Sequence, residues 1–325
     1  MKRHNNLYEK IYEIENIKFA HRKARKGKVH YKEVKNFNRY ESYYIEELHK
    51  MLKEKRYKTS MYEIITKITD GGKERKIYKL PYYPDRVVQH CIMNILEPIW
   101  FKTLIRDTYS SIKGRGIHDG LYRLKHKLSQ DKINTQYCLK LDIKKFYPSI
   151  DHNILKRIIR KKIKCKDTLI LIDEIIDSAG GVPIGNYLSQ YMGNIYLSEL
   201  DHYCKENLKI KYYFRYCDDI VILNSNKQNL HNFLKLIKSF CSTKLNLIIK
   251  SNYQIFPTFV RGIDFLGYRF FYDCILVRKS IVNNMKRKIN KKNKASYYGW
   301  LKHANAKNLT DTYINRNEYY EKNIQ

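Results

Sequence analysis

The run Tyr212-Tyr213-Phe214-Arg215-Tyr216-Cys217-Asp218-Asp219-Ile220-Val221-Ile222-Leu223 decides how the chain is read. Apolar residues flank a short acidic break, which predicts strand, turn and strand with Cys217-Asp218-Asp219 at the tip. Burying two adjacent aspartates between hydrophobic strands costs on the order of several kcal/mol unless something compensates. A tight hairpin tip lets both carboxylates point into one cleft. Upstream, Tyr137-Cys138-Leu139-Lys140-Leu141-Asp142-Ile143 reads as a buried strand ending at a third aspartate. If that strand lies beside the hairpin, three carboxylates converge, and two divalent cations are the natural compensation. Two metals about 3.5–4 Å apart can activate an attacking hydroxyl and stabilise a departing pyrophosphate. Mg2+ suits such a site, because it prefers hard oxygen ligands together with substrate phosphates. An isolated Asp-Asp could equally do no more than satisfy turn amides, so the surrounding sequence has to decide.

Composition narrows the partner. The 325 residues carry 64 Lys+Arg against 32 Asp+Glu, a formal net charge of +32. A hydrophobic fraction of 43%, with 30 Tyr and 12 Phe, argues against a disordered polycation. A folded, strongly basic chain expects a polyanion, and phosphate backbones are the commonest one; an anionic membrane surface is the rival. No apolar run approaches the roughly 20 residues of a membrane-spanning helix, and the first residues lead into no signal-peptide core, so a soluble cytoplasmic protein with no membrane partner is expected. The seven cysteines are scattered with no close pair, which fits reduced thiols better than a disulfide or zinc framework.

Along the chain, periodicity predicts a helix over about 5–25, running into the basic patch His21–Lys28, and another over about 40–55. A hairpin is expected from 62–69 and 75–80 around the turn Asp70-Gly71-Gly72. A helix over about 85–100 carries the stripe Val87, Val88, Cys91, Ile92 and Ile95. Helices follow over 152–163, 167–178, 186–208 and 229–244, with a strand over 263–271 and a basic helical segment from 278. Strands and helices mix without regular βαβ alternation, so the class is α+β.

Tyr216-Cys217-Asp218-Asp219 resembles the YxDD box of reverse transcriptases, and its neighbours appear in that family's order. Lys73–Gln89 (KERKIYKLPYYPDRVVQ) is similar to the fingers motif and Ser110–Gly120 to the block that follows it. Leu139–Ile150 (LKLDIKKFYPSI) resembles motif A, Gly181–Asn194 motif B, Asn246–Phe256 motif D and Gly262–Phe270 (GIDFLGYRF) motif E. The resemblance covers about 55–275 and implies a right-hand polymerase: a basic helical N-terminal extension over 1–55, fingers with part of the palm over 56–135, a palm of antiparallel sheet with helices on one face over 136–272, and a short basic helical thumb over 273–325.

It also implies roles. Asp142, Asp218 and Asp219 match the catalytic triad, with the Ile143 carbonyl completing a metal site for two Mg2+, for which Mn2+ can substitute. Lys144, Lys145 and Phe146 should line the triphosphate of the dNTP, and Tyr147 matches the aromatic gate against a ribose 2′-hydroxyl. Either Arg75 or Lys76 is the fingers phosphate clamp. Gly185 would let the backbone approach the template–nucleotide pair, and Gln190 would cap or brace the following helix. Lys250 falls where the general acid of motif D would lie, against the plainer reading of a solvated lysine. Lys286, Arg287, Lys288, Lys291 and Lys292 would track template and primer phosphates.

Where most of the family carries Gln-Gly-x-x-x-Ser-Pro, this chain has Ile184-Gly185-Asn186-Tyr187-Leu188-Ser189-Gln190. That departure resembles the reverse transcriptases of diversity-generating retroelements. It implies copying of a template-repeat RNA, through a cDNA/RNA hybrid, into cDNA with errors concentrated at adenines. The implied setting is a bacterial host, chromosomal or phage-encoded, with an accessory variability determinant protein as oligomeric partner. Only 54 residues follow Phe271, too few for a ribonuclease H or homing endonuclease domain. The rivals are a retron, group II-derived or phage-defence reverse transcriptase, and a non-catalytic, maturase-like RNA-binding protein.

Overall fold

Helices dominate the first of two units into which the chain divides, built from residues 1–106, 144–203 and 239–248. The structure, a computed structural model, describes residues 3–69 and 73–315; the turn expected at Asp70-Gly71-Gly72 lies outside them. The single helix expected over 5–25 is two, Tyr8–Tyr12 and Ile14–Ala24. Glu13 between them turns extended, with ψ 134°. The Asn16 side-chain amide donates there to the carbonyls of Ile11 and Cys91, a contact that no local periodicity encodes. A short helix, Lys32–Arg39, was not anticipated, because only Val34 and Phe37 mark its buried side; Glu41–Lys53 follows it.

Strands β1 (Glu63–Thr69) and β2 (Lys73–Lys79) form the expected hairpin, with Ile65 opposite Ile77. Val87–Phe101 buries Val87, Val88, Cys91 and Ile92, while Leu96 takes the buried place expected of Ile95. His152–Arg160 is capped by Asp151, whose carboxylate accepts from the Ile154 amide at 3.0 Å. Lys166–Asp177 and Tyr187–His202 complete the unit's longer helices. The last ends short of the expected 208, where an irregular turn, Tyr203–Asn207, takes over.

The second unit comprises residues 107–143, 204–238 and 249–325. Its main sheet has β3 (Tyr137–Asp142), β4 (Tyr212–Tyr216), β5 (Asp219–Asn224) and β6 (Gln254–Pro257) in the order β4-β5-β3-β6, each pair antiparallel. Helix Ile117–Gln130 places Leu121, Leu124 and Leu128 in a core shared with Cys138, Phe214, Val221 and Leu223. That i, i+3, i+7 spacing is the stripe of a half-buried helix.

The strand expected over 263–271 folds back on itself as β7 (Ile263–Phe265) and β8 (Tyr268–Phe270), joined by β9 (Ile275–Val277). Leu266 and Gly267 both take positive φ, 55° and 84°, which is the tight turn whose twist matches a hairpin. Basic helices then follow at Lys279–Lys288, Lys294–Leu301 and Lys307–Thr310. Among the described residues no helix is long and apolar enough to cross a membrane.

Candidate active site

In the second unit the strand register sets Asp142 directly opposite Asp219. Asp219 also pairs with Tyr216 across a two-residue turn made of Cys217 and Asp218, so Asp218 stands at its tip. The strand-and-turn reading of this segment therefore describes the observed geometry. β5 buries Ile220, Val221, Ile222 and Leu223 and leaves only its ends half-buried, which fixes where the acids emerge. Ile143 is buried and bridges to Ile249.

Two lysines that local pattern did not single out as partners hold these acids. Lys250 Nζ lies 2.5 Å from Asp142 Oδ2, and its backbone amide donates to the Asp142 carbonyl at 2.9 Å. Lys250 is thus half-buried and ion-paired. Lys140 lies two residues before Asp142 on β3 and so on the same face. Its Nζ stands 3.5 Å from Asp219 Oδ2 and donates to the Asp264 carbonyl, while Arg278 pairs with the Asp264 carboxylate at 2.5 Å. Burial, and then the charge of Asp142, pushes the Asp218 carboxyl up to about 6. Burial likewise pushes Asp219 up to about 6, with the Lys140 ammonium pulling the other way. A cavity of about 320 Å3 opens beside Lys140 and Asp142, walled further by Arg261, Asp264 and Arg269.

As they stand, no three His, Cys, Asp or Glu side chains among the described residues are gathered closely enough to hold an ion. The lysines occupy one oxygen of each facing aspartate. The other oxygen, Oδ1 of Asp142 and Oδ1 of Asp219, is buried and has no hydrogen-bond partner. An unpaired buried carboxylate oxygen is costly, and hard oxygens of this kind suit a divalent cation, so the donor set fits one.

In the first unit Lys144 and Lys145 are exposed, Phe146 is buried, and half-buried Tyr147 begins a short turn with its ring 5.1 Å from that of Phe146. Gly193, on the helix Tyr187–His202, faces both rings; a Cβ there would stand 3.1 Å from each. Ile184 accepts from the Tyr78 amide at 2.7 Å. Gly185 holds φ at +126°, and an added Cβ would lie 2.5 Å from the Tyr78 carbonyl. The glycine is therefore required by the close approach of β2. Ile65, Lys67 and Ile77 line a cavity of about 190 Å3 together with Gly185, Asn186 and Tyr187. By strand alternation and register, Arg75 shares their face of the hairpin and Lys76 takes the opposite one.

The N-cap position of the helix after motif B is Asn186, four residues before Gln190. Gln190 lies exposed within the first turn of Tyr187–His202, while buried Gln89 Oε1 accepts from the amides of Tyr187, at 2.9 Å, and Leu188. Lys286, Arg287 and Lys288 close the helix that Met285 anchors, and Lys291 and Lys292 follow it; all five are exposed.

The family described as reverse transcriptase (RNA-dependent DNA polymerase) matches residues 65–270. Protein YkfC of Escherichia coli K12 is 24% identical over 148 residues, 42% of this chain and 39% of that protein. The group II intron-encoded protein LtrA of Lactococcus lactis is 26% identical over 153 residues, 44% of this chain and 25% of that protein. The chain thus spans well under half the length of these curated relatives. Apo telomerase from Candida tropicalis superposes with a TM-score of 0.54 at 15% identity, covering 74% of this chain and 53% of that one. That likeness concerns the fold, and it agrees with the α+β right-hand polymerase expected from sequence. With its matched segment spanning the whole four-stranded sheet and all three acids, the chain belongs to the reverse transcriptase (RNA-dependent DNA polymerase) family.

Proposed function

We propose that this chain is an RNA-directed DNA polymerase whose reaction centre is formed by Asp142, Asp218 and Asp219. The observation that carries the reading is the pairing of Asp142 with Asp219 across β3 and β5, each keeping one buried oxygen without a partner. Those carboxylates, with the Ile143 carbonyl, would hold two Mg2+ ions, or Mn2+ in their place. When bound, the ions supply charge neutralisation at the triphosphate and activation of the primer 3′-hydroxyl. Lys250 holds Asp142 and Lys140 holds Asp219, so the chain keeps both acids oriented from its own side. This reading assigns fingers to 56–135, palm to 136–272 and thumb to 273–325. Arg75, on the hairpin face that carries Ile77, takes the phosphate-clamp role in preference to Lys76. Lys144, Lys145 and Phe146 serve the dNTP triphosphate, and Tyr147 the sugar. The lysines and arginine over 286–292 serve the duplex backbone.

The finer reading is a diversity-generating enzyme of the bacterial cytoplasm, acting on a template-repeat RNA with an accessory variability determinant protein. It rests on Ile184 standing where a glutamine is usual. Isoleucine fills similar volume but neither donates nor accepts a hydrogen bond, so correct pairs lose a contact worth on the order of 1 kcal/mol, severalfold in discrimination. The likeness to LtrA favours a second reading, a group II-derived enzyme. Primer extension with Mg2+ on an RNA template, followed by sequencing of the cDNA, tests both levels. Extension by wild type and its loss in Asp142→Asn is expected, whereas undiminished extension by Asp142→Asn would refute the reaction centre. Errors concentrated opposite template adenine, and fewer errors in Ile184→Gln, are expected of the diversity-generating reading; an accurate wild type would discard it in favour of the second.

A further inference from the structure

Arg215 is fully buried, an uncommon place for a guanidinium. It lies on β4, between two core aromatics in sequence, and its Nη1 donates to the carbonyl of Cys217 at 3.0 Å. Its own backbone is clamped on the far side from β5. The Arg215 amide donates to the Asp107 carbonyl at 2.9 Å, and its carbonyl accepts from the Tyr109 amide at 3.0 Å. The Asp107 carboxylate in turn pairs with Arg123 at 2.5 Å and accepts from the Tyr109 hydroxyl. The guanidinium is thus mounted on a braced strand and aimed at the turn.

Cys217 is the residue that needs holding. Its φ is +52°, a left-handed conformation that a side chain with a Cβ adopts only at a cost in free energy. It occupies the first position of the two-residue turn that sets the direction of Asp218. Its thiol lies 2.8 Å from the Ser110 hydroxyl, a second anchor on the same residue. A cation buried at this cost, with a hydrogen bond to the carbonyl of the left-handed residue next to Asp218, is poorly explained by packing alone.

We propose that Arg215 is a positioning residue for the polymerase reaction: by holding the Cys217 carbonyl it stabilises the left-handed turn and fixes the direction of Asp218 and Asp219. The inference rests on the polymerase reading above and adds to it a residue that touches neither substrate nor metal. Because the hold opposes backbone strain, relieving that strain should make the hold less necessary. Glycine at 217 accepts positive φ without penalty.

The test is a cycle of Arg215→Met, Cys217→Gly and the double variant, with Arg215→Lys alongside. Each is assayed for kcat and for dNTP KM in primer extension, for Mn2+ affinity by electron paramagnetic resonance, and for thermal unfolding. Arg215→Met should lower kcat by about tenfold or more and weaken Mn2+ binding severalfold while dNTP KM stays within about twofold, because the turn carries the acids and not the groups that would contact the nucleotide. The double variant should recover roughly threefold or more of that loss, as expected when two changes act on one strained element. Arg215→Lys, which keeps the cation without the planar fork, should fall between. If Arg215→Met does not fold, Arg215→Lys with and without Cys217→Gly carries the same comparison. A double variant no better than the single one, or a loss appearing in KM alone, would overturn the role of Arg215. A Mn2+ affinity unchanged in every folded variant would overturn it too. A wild type inert on every primer would instead refute the polymerase reading, while the Mn2+ comparison would still decide the part played by Arg215.

Discussion

His90 should make the protein acid-sensitive, and His90→Phe should remove that sensitivity. The imidazole is buried, stacked 3.8 Å from the Tyr187 ring, and neither ring nitrogen has a hydrogen-bond partner. Burial, aided by the nearby Arg86 charge, pushes its pKa from 6.5 down to about 3. Between those values the unfolded chain binds a proton that the folded chain refuses. Stability from this group is therefore complete above pH 6.5 and is lost as pH falls towards 3. At pH 5 the unfolded histidine lies about 1.5 pH units below its pKa, which corresponds to about 2 kcal/mol at 1.36 kcal/mol per unit. Phenylalanine keeps the planar stack but cannot titrate. Its baseline stability shifts for other reasons, since two unsatisfied nitrogens vanish and the ring grows. The informative quantity is the change between pH 8 and pH 5, in which those terms cancel. Urea unfolding at both pH values should show wild type losing about 2 kcal/mol more than His90→Phe. Equal losses would mean that the imidazole reaches water or a partner in the folded state, and the argument would fail.

Two further outcomes follow from the geometry. Gly185→Ala forces a Cβ to 2.5 Å from the Tyr78 carbonyl at φ +126°, so thermal unfolding should show destabilisation of roughly 2–4 kcal/mol, and unchanged stability would mean that β2 yields freely. Neutralising Lys286, Arg287 and Lys288 together should flatten the log–log salt dependence of RNA binding by roughly 2–3 in slope, measured by filter binding; an unaltered slope would place the duplex contacts elsewhere.

The sequence made legible those features whose signal is local. Apolar runs on either side of Asp218-Asp219, and one ending at Asp142, announced strands, because burial on both faces leaves a continuous hydrophobic stretch. What stayed hidden depends on partners far along the chain. Gln89 caps a helix that begins 98 residues later, and the Asn16 amide that accompanies the break at Glu13 reaches Cys91. The single strand expected over 263–271 failed because Leu266 is apolar and yet turns left-handed, which only the following glycine hinted at. Arg215 and Lys140 could have been found. A cation inside an otherwise apolar strand has to be paired, and each stands close in sequence to an aspartate that the same reasoning had already singled out.

That pairing explains how a site of this kind can fold before any cation arrives. Three acids brought to one end of the sheet resist burial and repel one another, which is why the carboxyls of Asp218 and Asp219 are raised. In a chain with twice as many bases as acids, long-range attraction does not help selectively, because it acts on every acid alike. The specific remedy is local. Lys250 takes one oxygen of Asp142, Lys140 takes one of Asp219, and Arg215 steadies the turn that carries Asp218. Each lysine satisfies half a carboxylate and leaves Oδ1 unpaired. Half-satisfaction covers one oxygen of each acid and leaves the two Oδ1 atoms for the cations proposed above. On the proposed reading, folding and cation binding would thereby be separated: the lysines neutralise part of the buried charge, and the remaining oxygens would serve the cations.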